Sequence, residues 1–185
     1  MRETVTAFPS YDQYTTEQLL EAYKAAPARL RAVLANLSED ELHQHPRPGK
    51  WSVVEIVIHM TDSELVGATR IRMSLAQPGT PFVGYKQDTW AEVLEYQGYS
   101  GEEMNTVLDL FKRLRQTTYR LLAQTSAEAW QRRGGIHPEY GPITLRNLLE
   151  LYADHGERHI GQILTLRQLM NRPLDLSLLL SHRLY

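Results

Sequence analysis

The chain has 185 residues, 42% hydrophobic and 23% charged, with a formal net charge of −2. That length suits one domain, read here as spanning residues 1–185, and it is long enough to bury a substantial core. The near-neutral balance argues against a nucleic-acid partner or an anionic membrane surface. The absence of cysteine excludes disulfides, thiolate ligands and a cysteine nucleophile, so any metal site must use nitrogen and oxygen donors. The first residues lack an apolar signal core, and nowhere do 18 apolar residues run together. The expectation is a cytoplasmic protein.

In chain order, Thr15 followed by Gln18 forms a capping box and opens a helix over about 16–37. Its apolar stripe holds Leu19, Leu20, Tyr23, Leu30, Val33, Leu34 and Leu37, with Pro27 inside it predicting a kink or a break. Ser38 and Glu41 start a short helical turn. Ser52 with Glu55 caps a second long helix to about Ala76, where Gln77-Pro78-Gly79-Thr80-Pro81 ends it. Ile56, His59, Met60, Ser63, Val66, Arg70 and Met73 fall on or near one face of that helix.

Residues 82–99 are rich in Tyr and Trp, read as packing over an open end of the core, with a substrate box as the alternative. Ser100 with Glu103 opens a third helix to about Gln124, burying Met104, Val107, Leu108, Phe111, Leu114 and Leu122. A short helix near 126–132 leads into the glycine- and proline-rich GGIHPEYGPIT, and Thr144 caps the last long helix, 145–170. The tail NRPLDLSLLLSHRLY has no clear period; its leucines are expected to cover a bundle edge or a partner subunit. No alternating strand pattern reaches useful length. The predicted fold class is all-α: an antiparallel four-helix bundle with short accessory helices and loops.

The run YADHGERHIGQIL carries the chemistry. His155 and His159 are one turn apart on the stripe bordered by Leu145, Leu148, Leu149, Tyr152, Ile160, Ile163 and Leu166. Imidazoles buried there need a partner. A divalent ion is the economical one, and His59 on the second helix is the third available ligand. Three neutral imidazoles suit Zn or Ni and leave a position for water. The bland alternative is a set of hydrogen-bonded core histidines in a metal-free bundle that binds an apolar ligand. His-Gly-Glu-Arg-His lacks the Glu placement of a zinc-protease helix.

Hydrogen-bond acceptors for the other ring nitrogen are expected at Glu55 and Asp62 for His59, and at Tyr152 and Gln162 for the pair. Glu55, Asp62 and Gln162 are the candidate catalytic groups; Asp154 and Glu157 are expected to face outward. Arg70 and Arg72 read as solvated salt-bridging residues, with anion binding as the alternative. His137 reads as a loop cap that can also reach a site mouth, and His43, His45 and His182 as surface residues.

The stretches RPGKWSVVEIVIHMTDSE, PFVGYKQDTWAEV, IHPEYGPITLRNLL and YADHGERHIGQI together resemble the DinB/YfiT-like superfamily, in order and over nearly the whole chain. The nearest branch resembles its metal-dependent hydrolases, which include bacillithiol S-transferases. This resemblance implies a DinB-like four-helix bundle of up-down-down-up type, often a homodimer, with a divalent metal on His59, His155 and His159. It also implies a small-molecule substrate and activation of water or a low-molecular-weight thiol. The chain departs from that branch at Ile58, Glu64, Asp154 and Arg158, where histidines are common. A non-catalytic, metal-stapled binding or stress-response module is the alternative function.

Overall fold

The computed structural model describes residues 7–47 and 49–174. Four long helices dominate it: α1 (Thr16–Leu34), α3 (Val53–Ala76), α5 (Gly101–Ala123) and α7 (Leu145–Leu169). Shorter helices are α2 (Glu39–His43), α4 (Gln87–Val93) and α6 (Ala127–Trp130), with a 3₁₀ turn at Tyr96–Gly98. Each long helix starts where a local signal places it. The Thr15/Gln18, Ser52/Glu55, Ser100/Glu103 and Thr144/Asn147 pairs all close reciprocal capping boxes. α1 ends at Leu34, before the expected 37.

The helices form a bundle, but its direction pattern corrects the antiparallel expectation. Arg146, at the start of α7, reaches Thr16 Oγ1 and the Tyr14 carbonyl at 2.6 Å each. Arg167, near the end of α7, donates to the carbonyls of Val33 and Ala35. Hence α1 and α7 run parallel. So do α3 and α5, since Thr61 reaches the Val107 carbonyl and Arg72 reaches Thr118. The pairs α3/α7 and α1/α5 are antiparallel, giving up-down-down-up.

The connection between α3 and α5 makes this possible. It runs back along α3, pinned by Arg70 on the Val83 carbonyl, Tyr96 on Asp62 and Ser52 on Gln97. Those tyrosines and tryptophans therefore line a return path down the bundle rather than capping its end.

A small sheet departs from the strand-free expectation. β1 (Thr80–Pro81) pairs in parallel with β2 (Arg133–His137), which forms a hairpin with β3 (Gly141–Thr144). The strands are too short to show alternation, and β1 finds its partner more than 50 residues away, so local periodicity could not reveal them. Gly141 closes the hairpin at φ 68°, where a side chain is disfavoured.

Pro27 does not break α1. A proline supplies no N–H to the carbonyl four residues back, and here Arg115 Nη1 donates to that Tyr23 carbonyl at 2.9 Å. Arg115 also bonds Glu64 Oε2 at 2.8 Å and the Tyr152 carbonyl at 2.6 Å. Tyr23 Oη gives Glu64 a second bond. This polar layer separates two apolar clusters, one around Ile56, Met60, Phe111 and Ile160, the other around Leu19, Ile71, Leu122 and Leu149.

Asp154 and Glu157 are buried, against expectation: Glu157 pairs with Arg29 across to α1, and Asp154 with Arg158. Most of the tail, with His182, lies outside the described residues. Among the described residues, no helix is long and apolar enough to cross a membrane.

Candidate metal centre

The antiparallel contact of α3 with α7 brings three histidines together. His59 Nε2 lies 3.0 Å from His155 Nε2, which lies 3.2 Å from His159 Nε2. Their ring centroids are 4.4–5.0 Å apart. His59 is 1% exposed and packs against the Trp51 indole, 4.7 Å between centroids. His159 Nδ1 bonds Gln162 Oε1 at 2.9 Å, one turn further along α7.

Protons alone serve this arrangement poorly. Facing a carbonyl oxygen, His159 Nδ1 must carry the ring's hydrogen, so its Nε2 presents a lone pair toward His155. If His155 Nε2 is also bare, two lone pairs face each other at 3.2 Å. If it carries a hydrogen, that one proton must serve both neighbours. A cation between the three nitrogens removes the conflict. Tetrahedral zinc with Zn–N of about 2.0–2.1 Å requires N···N of about 3.3 Å, close to the 3.0 and 3.2 Å observed.

Electrostatics point the same way. Burial, helped by the neighbouring imidazoles and Arg158, holds His59 down to about 3 and puts His155 well below its ordinary value. Burial lowers His159 to about 4, against the opposing bond to Gln162. All three are therefore neutral near pH 7, the form in which imidazole ligates a metal.

Of the acceptors sought in the sequence, Gln162 alone bonds a cluster histidine. Glu55 is consumed by its helix cap, accepting from the backbone and hydroxyl of Ser52. Asp62 accepts from the Tyr96 hydroxyl. Tyr152 turns to Arg70 instead of the cluster. A carboxylate one turn from His59 shares its face in sequence, but a nearer hydrogen-bond donor decided its orientation.

The ring of His155 also lines a cavity of about 520 Å³, walled by α3, the return connection, the β2–β3 hairpin and α7. Neither arginine expected to form solvated salt bridges has a carboxylate partner among the described residues. Arg72 bonds Ala68, Thr117 and Thr118, and Arg70 is buried in the cavity wall with His137 and Tyr152. His137 does accept from the Glu139 backbone as a loop cap, and it lines the cavity too. His43 is not a free surface residue, since its ring bridges the carbonyls of Glu39 and Tyr99. Sequence reasoning missed the Arg70–His137–Tyr152 group because its members come from three separate elements. The available signals were Arg70 on or near the inward face of α3, with anion binding as its alternative reading, and His137 as a loop residue able to reach a site mouth.

An up-down-down-up helical bundle with a three-histidine cluster between α3 and α7 defines the class. The chain belongs to the DinB superfamily, whose family model matches residues 22–163 and so includes all three histidines. It is 26% identical over 166 residues to a Bacillus cereus (strain 03BB102) protein named “Putative metal-dependent hydrolase”, covering 88% of this chain and 93% of that one. A relative with the same description from Halalkalibacterium halodurans is 28% identical over 137 residues, 74% of this chain and 77% of that one. Among solved structures, YfiT from Bacillus subtilis superposes with a TM-score of 0.79 at 23% identity, covering 90% of this chain and 95% of that chain. It is described as “a probable metal-dependent hydrolase with an unusual four-helix bundle topology”. That likeness supports the fold.

Proposed function

We propose that this chain is a divalent-metal-dependent enzyme in which His59, His155 and His159 hold the ion. On this reading it activates water for hydrolysis, or a small thiol for transfer to an electrophilic small molecule. One observation carries the reading: the Nε2 atoms of His59 and His159 lie 3.0 and 3.2 Å from that of His155, which itself lines a cavity. The names of the Bacillus relatives support metal dependence.

Three protein ligands leave at least one position for an exchangeable molecule. A bound divalent cation supplies Lewis acidity, drawing the pKa of water or of a thiol toward neutrality. The chain's own residues do the rest. Burial keeps the three imidazoles neutral, with lone pairs available to the ion. Gln162 fixes the tautomer of His159, and Trp51 covers one side of His59. The all-nitrogen donor set suits zinc or nickel. Because the chain has no cysteine, any thiol it uses comes from a small molecule.

The test is elemental analysis of protein purified without a histidine tag, beside His155→Ala. Turnover assays then follow, with ester and amide substrates and with a thiol plus a model electrophile. Metal-dependent turnover in one set chooses between hydrolase and S-transferase. Stoichiometric metal with no turnover in either, and a large fall in Tm on chelation, would replace the enzyme with a metal-stapled module.

A further inference from the structure

Arg70 stands at 7% exposure in the wall of the cavity that His155 also lines. A buried guanidinium is ordinarily matched by a carboxylate, because an unpaired charge away from water is costly. Among the described residues none is in reach. Nη1 faces His137 Nε2 at 3.1 Å and donates to the Tyr152 hydroxyl at 3.2 Å, and Nη2 donates to the Val83 carbonyl at 2.8 Å. All three partners are neutral groups, and the buried Nε–H has no acceptor.

The His137 ring adds an independent observation. Its Nδ1 faces the Glu139 backbone N–H at 3.2 Å while its Nε2 faces Arg70. A neutral imidazole has one lone pair and one N–H, so one of the two donors meets another donor. This wall thus presents more N–H groups than acceptors. The cavity's charge has the same bias. Lys86 and Arg158 also line it, against a single lining carboxylate, Glu139, and Arg158 is engaged by Asp154. The missing component is an acceptor carrying negative charge.

We propose that the cavity takes a small molecule bearing a carboxylate, and that Arg70 holds this carboxylate and selects anionic over neutral substrates. The planar guanidinium matches a carboxylate geometrically, and a bound one supplies the negative charge that the neutral partners of Arg70 do not. Tyr152, three residues before His155 on α7, holds Arg70 within a helical turn of the cluster. The carboxylate is therefore a handle, set beside the centre where the reaction occurs. That last step rests on the proposed reading of the histidines, whereas carboxylate binding does not.

Succinate and its neutral counterpart succinamide serve as probes, titrated into the full-length protein as purified and again after chelation. Binding is followed by calorimetry and by the Arg70 Nε–H signal in ¹H–¹⁵N spectra. Succinate is expected to bind saturably and shift that signal in both preparations, and succinamide to do neither. R70Q is expected to bind succinate at least about tenfold more weakly, with R70K between the two. His59→Ala, which removes a cluster ligand outside this cavity's lining, is expected to keep succinate binding while losing metal. The metal reading can then fail alone. Equal binding of the two probes, no saturable succinate binding, or an unchanged R70Q would overturn the proposal. Should R70Q not fold, the response of the wild-type Arg70 signal decides it.

Discussion

Arg115 Nε and Glu64 Oε2 lie 2.8 Å apart at the centre of the bundle, with each side chain 1% exposed. The pair sits where α1, α3, α5 and α7 all meet. Arg115 spends its remaining donors on the Tyr23 carbonyl stranded by Pro27 and on the Tyr152 carbonyl of α7. Burial raises the Glu64 carboxyl above its ordinary value, with Arg115 and Tyr23 pulling it back. One side chain thus holds together charge, backbone and three helices.

Removing one member of this pair should be costly. Arg115→Met is expected to lose about 3–5 kcal/mol of stability, the cost of leaving a buried charge unpaired. Urea unfolding measures it. Glu64→Leu combined with Arg115→Met should recover part of the loss, because the isolated carboxylate is gone; the Tyr23 carbonyl stays unbonded. A double variant no better than the single one would show that the charge is not the main cost.

The metal-free protein should destabilise in mild acid. An unfolded histidine titrates near 6.5, whereas burial holds folded His59 to about 3 and His159 to about 4, with His155 well below. Between pH 6.5 and about 4 the unfolded chain therefore binds protons that the native chain does not. Stability is complete above that window and falls as pH drops through it, by up to about 1.4 kcal/mol per pH unit for each such histidine. Glu64 and Asp154 are raised by burial and act in the opposite sense. Chelated wild type should thus be compared with chelated His155→Gln, in which those carboxyls cancel. The variant should show the flatter dependence of Tm on pH, and equal slopes would contradict the burial argument.

Gln162→Leu tests the one acceptor that reaches the cluster. Losing the 2.9 Å bond to His159 Nδ1 frees the ring's tautomer and orientation. Metal affinity should fall about 10–100-fold, read by competition with a chromophoric chelator. Gln162→Glu, which keeps an acceptor, should stay near wild type.

Gly67→Ala tests the packing behind the cavity. A Cβ there would stand 2.4 Å from the Tyr152 ring, so Tyr152 must move and release Arg70. A loss of about 1–3 kcal/mol is expected, the usual cost of overpacking a tight interior. Thermal melting measures it. An unchanged melting point would mean that the ring can step aside freely.

The histidine pair was legible because residues four apart on a helix share a face whatever surrounds them. His59 was legible as an inward residue, but its 3.0 Å approach to His155 depends on how α3 lies against α7. Glu64 and Arg115 were not legible as buried groups, and Arg70, placed on or near the inward face, was still read as solvated. Each is a charged residue whose partners lie at least 13 positions away. Glu55 and Asp62 misled for the same reason, since helical spacing places them near His59 without saying which donor claims them.

The sequence by itself determined where the long helices begin, because capping boxes act over three residues, and which faces turn inward, because apolar periodicity is a property of the segment alone. Tertiary structure decided the directions of the helices, the small sheet, the polar layer and the meeting of three imidazoles. Those depend on the return of residues 77–100 along α3 and on side chains bonding across helices. Such contacts exist only once distant segments are packed together, so nothing in a local stretch of sequence encodes them.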